Sequence, residues 1–263
     1  KPIKADLSRE FKKIEIHIFS DEHIGTTYCD IKNVQDRIDY VAGKENAFAI
    51  LTGDIVDNAT RDSVGDVYDG MSPMEQMKKA VNLFKPIKHK ILAITSGNHC
   101  DRSYKKDGVD LMYFLCAELG LQELYHQYGV LLFIRFGEMK NGKKESKGTG
   151  NYRKVCYTLY ATHGSTGGRT AGGKANGLQR LGNIINSDVV IVSHTHFPMC
   201  FKEASFEIDY QNSTYRKKET TFVNSGSALD WGGYSERYSF KPSSKAHPVI
   251  ILDGSRHNIE VTI

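Results

Sequence analysis

The sequence predicts an α/β fold built around a buried sheet, on two observations. Short apolar runs that suit buried strands alternate with longer segments whose apolar residues have helical spacing. Several of these runs end in carboxylate, amide or imidazole side chains, as expected where the carboxyl ends of strands form a binding site. The chain has 263 residues, 40% of them hydrophobic, and shows no linker, repeat or low-complexity boundary, so we expect one domain over residues 1–263.

The first β-α-β unit is predicted near the start of the chain. Ile14 to Phe19 alternates isoleucine with polar residues and predicts a strand. Asp30 to Ala42 has helical spacing of apolar residues, with its first residue as the N-cap. Ala47 to Leu51 predicts the second strand, which leads into a Gly-Asp-x-x-Asp segment beginning at Gly53. Glycine lets the chain turn sharply there and present a carboxylate at the strand end.

The rest of the chain continues this alternation. A polar insert, Ala59 to Ser72, precedes a predicted helix over Pro73 to Phe84, and a third strand, Ile91 to Thr95, again ends in polar residues. Gly137 to Lys154 is rich in lysine and glycine and predicts a solvated hairpin, or simply a charged loop. The other predicted elements are a helix over Val109–Leu119, strands over Val130–Phe136 and Val155–Thr162, an amphipathic segment over Leu178–Ile185 after a glycine-rich loop to Gly173, and strands over Asp188–Val192, Thr220–Val223, Val249–Leu252 and Ile259–Ile263.

Charge and cysteine content narrow the class of protein. The net charge of +4 and pI of about 8.6 permit an anionic substrate without requiring nucleic acid. The five cysteines include no Cys-x-x-Cys pair, which argues against a disulfide framework and a structural zinc finger. No apolar run reaches the roughly 20 residues of a membrane span, and no signal-peptide pattern opens the chain, which begins at Lys1. We expect a cytoplasmic protein that does not contact membranes.

Residues that bind metals or act in catalysis follow five of the predicted strands. They occur as Asp21-x-His23, Gly53-Asp54-x-x-Asp57, Gly97-Asn98-His99, His163-Gly164 and His194-x-His196. Each of these motifs alone is weak evidence for a metal or catalytic site, since Gly-Asp-x-x-Asp, for example, is also the sequence of an ordinary turn. Together they contain half of the ten histidines, and core or surface histidines would have no reason to collect at strand ends. Because a carboxylate has two oxygens, Asp54 could bridge two cations about 4 Å apart.

In type and order, these residues resemble the signature of the calcineurin-like metallophosphoesterase superfamily, and the match runs from Asp21 to His196. The resemblance implies a four-layer sandwich, in which two packed mixed β-sheets are flanked by helices. It also implies two divalent cations. Their implied ligands are Asp21, His23 and His196 for the first, Asp54 as the bridge, and Asn98, His163 and His194 for the second.

Two further residues gain roles from the resemblance. His99 is similar to a histidine that faces the scissile phosphate without binding metal, and Asp57 to the carboxylate that orients its imidazole. The residue after Gly-Asn-His is commonly acidic in relatives but is Cys100 here, which puts the surroundings of the ligands in doubt rather than the ligands themselves.

The ligand types suit the implied chemistry. Nitrogen and oxygen ligands without thiolate suit Mn, Fe or Zn rather than a soft metal and do not distinguish among these ions. We expect Mn, with Fe, Zn and Ni as alternatives. Two bridged cations can share a water, lower its pKa and aim the resulting hydroxide at phosphorus. His99 could stabilise the developing charge or protonate the leaving oxygen.

A phosphodiesterase acting on nucleic acid or a nucleotide is the favoured function, because His23 completes the first cation site and basic residues lie near the motifs. The candidate substrate-binding residues are Asn98, Arg102, Arg169 and Lys174, and the hairpin adds Lys143, Lys144, Lys147, Arg153 and Lys154. Each of these basic side chains could instead simply be exposed to solvent, with no role in binding. One alternative is a phosphomonoesterase, although no separate cap domain is evident. Another is a non-catalytic scaffold, against which the intact His99 and ligand set argue.

Three further segments, Ser63–Tyr68, Met71–Pro73 and Trp231–Tyr234, resemble those of metallophosphoesterases carried by phages and prophages of Gram-positive bacteria. This likeness implies a location in the cytoplasm of a bacterial host. Shared motifs do not by themselves imply nuclease activity.

Overall fold

Two six-stranded β-sheets form the centre of the chain in a computed structural model, which describes residues 1–61, 63, 70–140, 152–165 and 168–263. The strands are β1 (Ile3–Asp6), β2 (Lys13–Phe19), β3 (Ala47–Thr52), β4 (Ile91–Thr95), β5 (Tyr125–His126), β6 (Gly129–Lys140), β7 (Tyr152–Thr162), β8 (Val189–Val192), β9 (Met199–Asp209), β10 (Thr214–Asn224), β11 (Val249–Asp253) and β12 (Ile259–Thr262). The helices are α1 (Ile31–Gly43), α2 (Pro73–Phe84), α3 (Asp101–Asp107), α4 (Leu111–Leu119), α5 (Ala171–Gly182) and α6 (Tyr234–Arg237), with 3₁₀ turns at Lys85–Lys90 and Gln122–Leu124.

Both sheets are mixed. The first has the order β12-β11-β2-β3-β4-β5, in which β2 to β5 are parallel and β11 and β12 are antiparallel to their neighbours. The second has the order β1-β6-β7-β8-β10-β9, with β7, β8 and β10 parallel. The carboxyl ends of β2, β3 and β4 therefore share one edge of the first sheet, and those of β7 and β8 share one edge of the second.

The sheets pack face to face, and helices cover their outer faces. Ile16 and Ile50 of the first sheet pack in one core cluster with Tyr157 of the second. Apolar residues on the opposite face of β2 and β3 pack with α1, α2 and α4, while Leu178 of α5 packs on Phe222 of the second sheet. Because both faces of the central strands are buried, they appear as nearly continuous apolar runs in the sequence. The predicted four-layer sandwich is confirmed.

The helices α1 and α2 begin where their capping residues predict. The carboxylate of Asp30 accepts a hydrogen bond from the amide of Asn33 at 3.1 Å. Ser72 and Glu75 form a capping box ahead of α2, in which each side chain accepts from the other residue's amide. Side-chain oxygens at these positions satisfy amides that the first helical turn leaves unpaired.

Replacing Ser72 with alanine should lower the free energy of unfolding by about 1 kcal/mol, because the amide of Glu75 loses its cap. Urea denaturation of Ser72→Ala measures this loss as a lower midpoint at unchanged slope. Ser205→Ala, at an exposed position of β9, is the matched control. Equal midpoints for the two variants would contradict the capping role.

Helix α5 differs from its prediction. It begins at Ala171, inside the stretch predicted as a glycine-rich loop, and ends at Gly182 rather than Ile185. The hydroxyl of Thr170 caps the helix by accepting from the amide of Gly173 at 3.2 Å. Glycine lowers helix propensity, so the sequence pattern of this segment indicated a loop. The predicted helix at Val109 begins two residues later, at Leu111, and α3, β1, β5 and β9 were not predicted.

The arms of the predicted hairpin are β6 and β7, which pair Lys140 with Tyr152. Residues 141–151, with Lys143, Lys144 and Lys147, lie outside the described residues, as do 62 and 64–69 of the polar insert. The ammonium of Lys154 donates to the carbonyl of Leu7 at 2.8 Å, which ties the hairpin to the N-terminal segment. Among the described helices, none combines the length and apolar character needed to cross a membrane.

Candidate metal centre

Hydrogen bonds bring the ends of both sheets together. Asp21 follows β2, and its Oδ2 accepts from the backbone amide of His194, which follows β8, at 3.1 Å. Asp54 follows β3, and its Oδ1 accepts from the amide of His99, beyond β4, at 2.8 Å. His163, beyond β7, places its Nε2 3.1 Å from Oδ2 of Asp54. All five predicted pieces therefore meet in one site.

The backbone at this site is unusual. Most of the predicted ligands lie in the left-handed region, with φ of 54° at Asp21, 47° at His23, 48° at Asp54, 69° at His194 and 50° at His196. Residues other than glycine rarely adopt this region, and when they do they cluster at functional sites. No feature of the sequence predicted these conformations.

Two glycines allow the close approach of the strand ends. A Cβ added to Gly53, whose φ is +85°, would lie 2.6 Å from the backbone nitrogen of Gly97. A Cβ added to Gly97 would lie 2.3 Å from Oδ1 of Asp54. The segments after β3 and β4 can thus touch only because neither glycine has a side chain.

The first candidate cation group consists of Asp21, His23 and His196, whose ligand atoms lie within 4.8 Å of one another. Nε2 of His23 and Oδ1 of Asp21 are buried without a hydrogen-bond partner, although Nε2 of His196 is 3.1 Å from that oxygen. Buried polar atoms are nearly always satisfied. A cation bound here would give them the partner they lack, so the residues fit the implied ion.

The second group consists of Asp54, His163 and His194, again within 4.8 Å of one another. Nε2 of His163 lies 2.9 Å from Oδ1 of Asn98, which places this predicted ligand beside the group. Nδ1 of His163 donates to the carbonyl of Thr52 at 2.8 Å. This bond fixes the ring and leaves Nε2 facing the group, as is usual behind a metal-binding histidine.

The charges of the second group support one another. Burial alone would raise the pKa of Asp54, but His163 and His99 outweigh it and hold that pKa well below its usual value. Burial alone would lower the pKa of His163, yet the carboxylates of Asp54 and Asp21 raise it to about 9. The two carboxylates thus favour the protonated form of His163, and a cation bound at Nε2 would take the place of that proton.

A third group, His23, Asp54 and His99, connects the other two. The rings of His23 and His99 have centroids 4.3 Å apart in an edge-to-face arrangement. Because this group shares His23 with the first group and Asp54 with the second, the two candidate cation positions are neighbours.

Asp57 contacts two histidines. Its Oδ1 lies 3.3 Å from Nδ1 of His99 and 3.4 Å from Nδ1 of His23, while its backbone carbonyl lies 2.8 Å from Nδ1 of His99. Burial opposes ionisation of Asp57, but both imidazoles hold its pKa below the usual value. The carboxylate thus lies beside His99, which it is predicted to orient, and it also faces a candidate ligand.

Arg102 determines which nitrogen of His99 carries the proton. Its Nη2 lies 2.9 Å from Nε2 of His99, and a guanidinium can only donate. Nε2 of His99 is therefore the acceptor, and Nδ1 carries the proton that it donates to the carbonyl of Asp57. The predicted substrate-binding Arg102 lies against the predicted catalytic imidazole.

Two other basic side chains, Lys174 and Arg169, were also predicted to bind substrate. Lys174 lies beside the His-x-His segment, and Arg169 lies beside the C-terminal region. Nζ of Lys174 donates to the carbonyl of Thr195 at 2.8 Å and lies 5.0 Å from the ring centroid of Phe197. The guanidinium carbon of Arg169 lies 5.5 Å from the ring centroid of Phe240. Each cation therefore has an aromatic partner.

The sequence interpretation gave no role to Asn58, which directly follows Asp57. Its side-chain amide donates to the carbonyl of His99 at 2.8 Å, and its Oδ1 accepts from the hydroxyl of Ser103 at 3.0 Å. It is buried and left-handed, with φ of 44°. Its place at the end of the Gly-Asp-x-x-Asp segment was the signal that could have identified it.

No protein-family model matches the chain, and no curated protein matches it. Among solved structures, the chain is similar to a conserved uncharacterised protein of Streptococcus pneumoniae described as a predicted phosphoesterase, with 14% identity, a TM-score of 0.38 and coverage of 95% of this chain and 90% of that chain. It is similar to Vps29 of Entamoeba histolytica complexed with Zn²⁺, with 10% identity, a TM-score of 0.36 and coverage of 95% and 97%. It is also similar to GAP50, the anchor in the inner membrane complex of Plasmodium, with 13% identity, a TM-score of 0.43 and coverage of 95% and 84%.

Proposed function

We propose that the chain hydrolyses phosphoesters with two divalent cations. The observation that carries this proposal is the pair of neighbouring candidate groups, which have no member in common and are linked through His23 and Asp54. Asp21, His23 and His196 would hold one cation, Asn98, His163 and His194 the other, and Asp54 would contact both. When bound, two such cations lower the pKa of a shared water and neutralise phosphate oxygens.

The chain's own residues position the substrate and handle its charge. Arg102 lies next to His99, so both can face one phosphate group, with the guanidinium matching two phosphate oxygens. His99 would stabilise developing charge or deliver a proton to the leaving oxygen. Asp57 would hold its imidazole in place through the contacts to Nδ1.

Phosphodiesters, including nucleotides or nucleic acid, are the substrates that we propose. His23 lies with Asp21 and His196 in one candidate group, which supports the ligand set proposed for the first cation. The side chains of His99 and His196 are 20% and 28% exposed, whereas those of His23 and His163 are only 4% exposed. The site is thus more accessible at His99 and His196, which suits a substrate that extends beyond it.

We further propose manganese as the ion and a phage or prophage of a Gram-positive bacterium as the source.

The wild-type chain, reloaded with Mn²⁺, should hydrolyse bis-aryl phosphate with a higher kcat/KM than the monoester of the same aryl group. EDTA should abolish both activities, because the residues alone supply no nucleophile in this proposal. The same panel should include cyclic nucleotides and single- and double-stranded DNA. A higher kcat/KM on the monoester would indicate a phosphomonoesterase, and full Mn²⁺ loading without turnover of any substrate would indicate a non-catalytic scaffold.

A further inference from the structure

Four exposed aromatic side chains lie on segments that are adjacent in sequence, or linked by contacts, to the loops of the candidate metal centre. We call Tyr28, Phe197, Trp231 and Phe240 the aromatic rim. Each is between 37% and 48% exposed. Phe197 directly follows the predicted ligand His196. Exposed aromatics that collect beside a site usually mark a binding surface.

Contacts connect the segments that carry Tyr28, Trp231 and Phe240. The indole nitrogen of Trp231 donates to the carbonyl of Phe240 at 2.8 Å. The ring of Tyr28 packs against the backbone of Gly232 and Gly233, where added Cβ atoms would lie 2.4 Å and 2.5 Å from it. The two glycines thus let the ring of Tyr28 approach the backbone directly after Trp231.

The rim is also attached to the candidate ligands. The hydroxyl of Ser227 and the amide of Ala228 donate to the carbonyl of Asp21 at 2.9 Å and 3.4 Å. The amide of Asp230 donates to the carbonyl of Tyr28 at 2.8 Å. The segment that carries Trp231 is therefore fixed to the loop that carries Asp21, so the rim keeps a constant position relative to the cation groups.

Two basic side chains lie on the rim. Nζ of Lys174 is 5.0 Å from the ring centroid of Phe197, and the guanidinium carbon of Arg169 is 5.5 Å from that of Phe240. Lys174 lies in the first turn of α5, and Arg169 directly precedes its N-cap, Thr170. Two of the four rings of the rim therefore have a basic side chain beside them.

We propose that the aromatic rim binds single-stranded nucleic acid, with unpaired bases stacked on the rings and phosphates beside Arg169 and Lys174. Exposed rings with basic side chains beside them suit such a strand, because bases stack on aromatic faces whatever their sequence while the backbone needs positive charge. A duplex hides its base faces, so it cannot use the rings. This inference rests on the proposed function: Phe197 would deliver the strand to the cations next to His196.

Binding can be measured without hydrolysis. A fluorescein-labelled oligothymidylate of about 12 nucleotides is titrated with wild-type protein in EDTA, and its anisotropy gives Kd. The chain has one tryptophan, Trp231, so quenching of intrinsic fluorescence reports contact at the rim itself. We expect quenching by the single strand, and weak binding of both a hairpin duplex of equal length and thymidine monophosphate.

Phe197→Ala and Phe240→Ala should each weaken binding of the single strand by about 5- to 150-fold, the usual effect of removing one stacking ring. Tyr210→Ala, on an exposed aromatic of the β9–β10 hairpin, is the matched control and should leave Kd unchanged. Arg169→Ala and Lys174→Ala should each make the slope of log Kd against log salt shallower by about 0.7. Circular dichroism verifies that each variant folds.

The inference is overturned if the duplex binds as tightly as the single strand, if both phenylalanine variants keep wild-type Kd, or if no oligonucleotide binds. Its failure is distinguishable from that of the proposed function. Hydrolysis of bis-aryl phosphate without preference for single strands would remove the rim inference alone. Tight binding and quenching by the single strand in a chain that hydrolyses no phosphoester would remove the proposed function instead.

Discussion

Asp54→Asn is expected to reduce binding of both cations. Asp54 belongs to two candidate groups, and an amide lacks the negative charge that a bridging ligand supplies. Changing a residue behind a metal ligand already weakens affinity by about 10- to 100-fold, so loss of a direct ligand should weaken each ion by more. At limiting Mn²⁺, the two losses multiply to a fall in kcat/KM above about 10²-fold. Mass spectrometry of the protein after reloading with Mn²⁺ measures how many ions remain bound and so tests the predicted loss of cation binding.

Asp36→Asn, at an exposed position of α1, controls for the loss of a carboxylate elsewhere. It should keep the metal content and activity of the wild-type chain. Since Asp54 is buried against His163, the variant's fold must be verified by circular dichroism. An Asp54→Asn chain that holds as many ions as wild type would exclude Asp54 as the bridge.

His99→Asn should keep both cations and lower kcat by about 10²- to 10⁴-fold, the usual contribution of a general acid. If the imidazole donates a proton to the leaving oxygen, the loss should shrink for good leaving groups, since a nitrophenolate needs a proton far less than an alkoxide. In the ion-free chain Nε2 of His99 accepts from Arg102. To donate from that nitrogen, the ring must first take up a proton there.

Leaving-group dependence therefore distinguishes two roles for His99. A loss that is equal for aryl and alkyl diesters would indicate stabilisation of charge on the phosphoryl oxygens. Near wild-type turnover of an alkyl diester would exclude His99 from the reaction. His89→Asn, in an exposed 3₁₀ turn, is the control. The companion variant Asp57→Asn should show a milder defect, because the backbone carbonyl that holds Nδ1 of His99 remains.

Local signals predicted much of the fold. Asp30 and Ser72 mark the starts of α1 and α2 because their side chains satisfy amides within a few residues. β4 was predicted with its exact bounds, since buried parallel strands leave continuous apolar runs. Elements with few buried residues were harder to predict, because they lack a clear apolar pattern in the sequence. The outer half of β9 is largely exposed, and α3 has no buried residue among its described positions.

The candidate site was predictable in its membership but not in its contacts. Residue types at strand ends brought Asp21, Asp54 and His163 into one hypothesis, and the structure brings them together. The tautomer of His99 depends on Arg102, and the second contact of Asp57 depends on His23. Such contacts arise only when separate segments meet, so a motif read along the chain cannot contain them.

Selection for thermal stability alone would act against the candidate metal centre. Asp21, His23, Asp54, His194 and His196 hold a backbone conformation that costs residues other than glycine roughly 1–3 kcal/mol each. Glycine adopts it freely, so glycine at any of these positions would relieve strain and delete a ligand in the same step. Heat resistance and metal binding would then be opposing traits at these positions, and a variant chosen only for its melting temperature could keep both sheets while losing the candidate ligands.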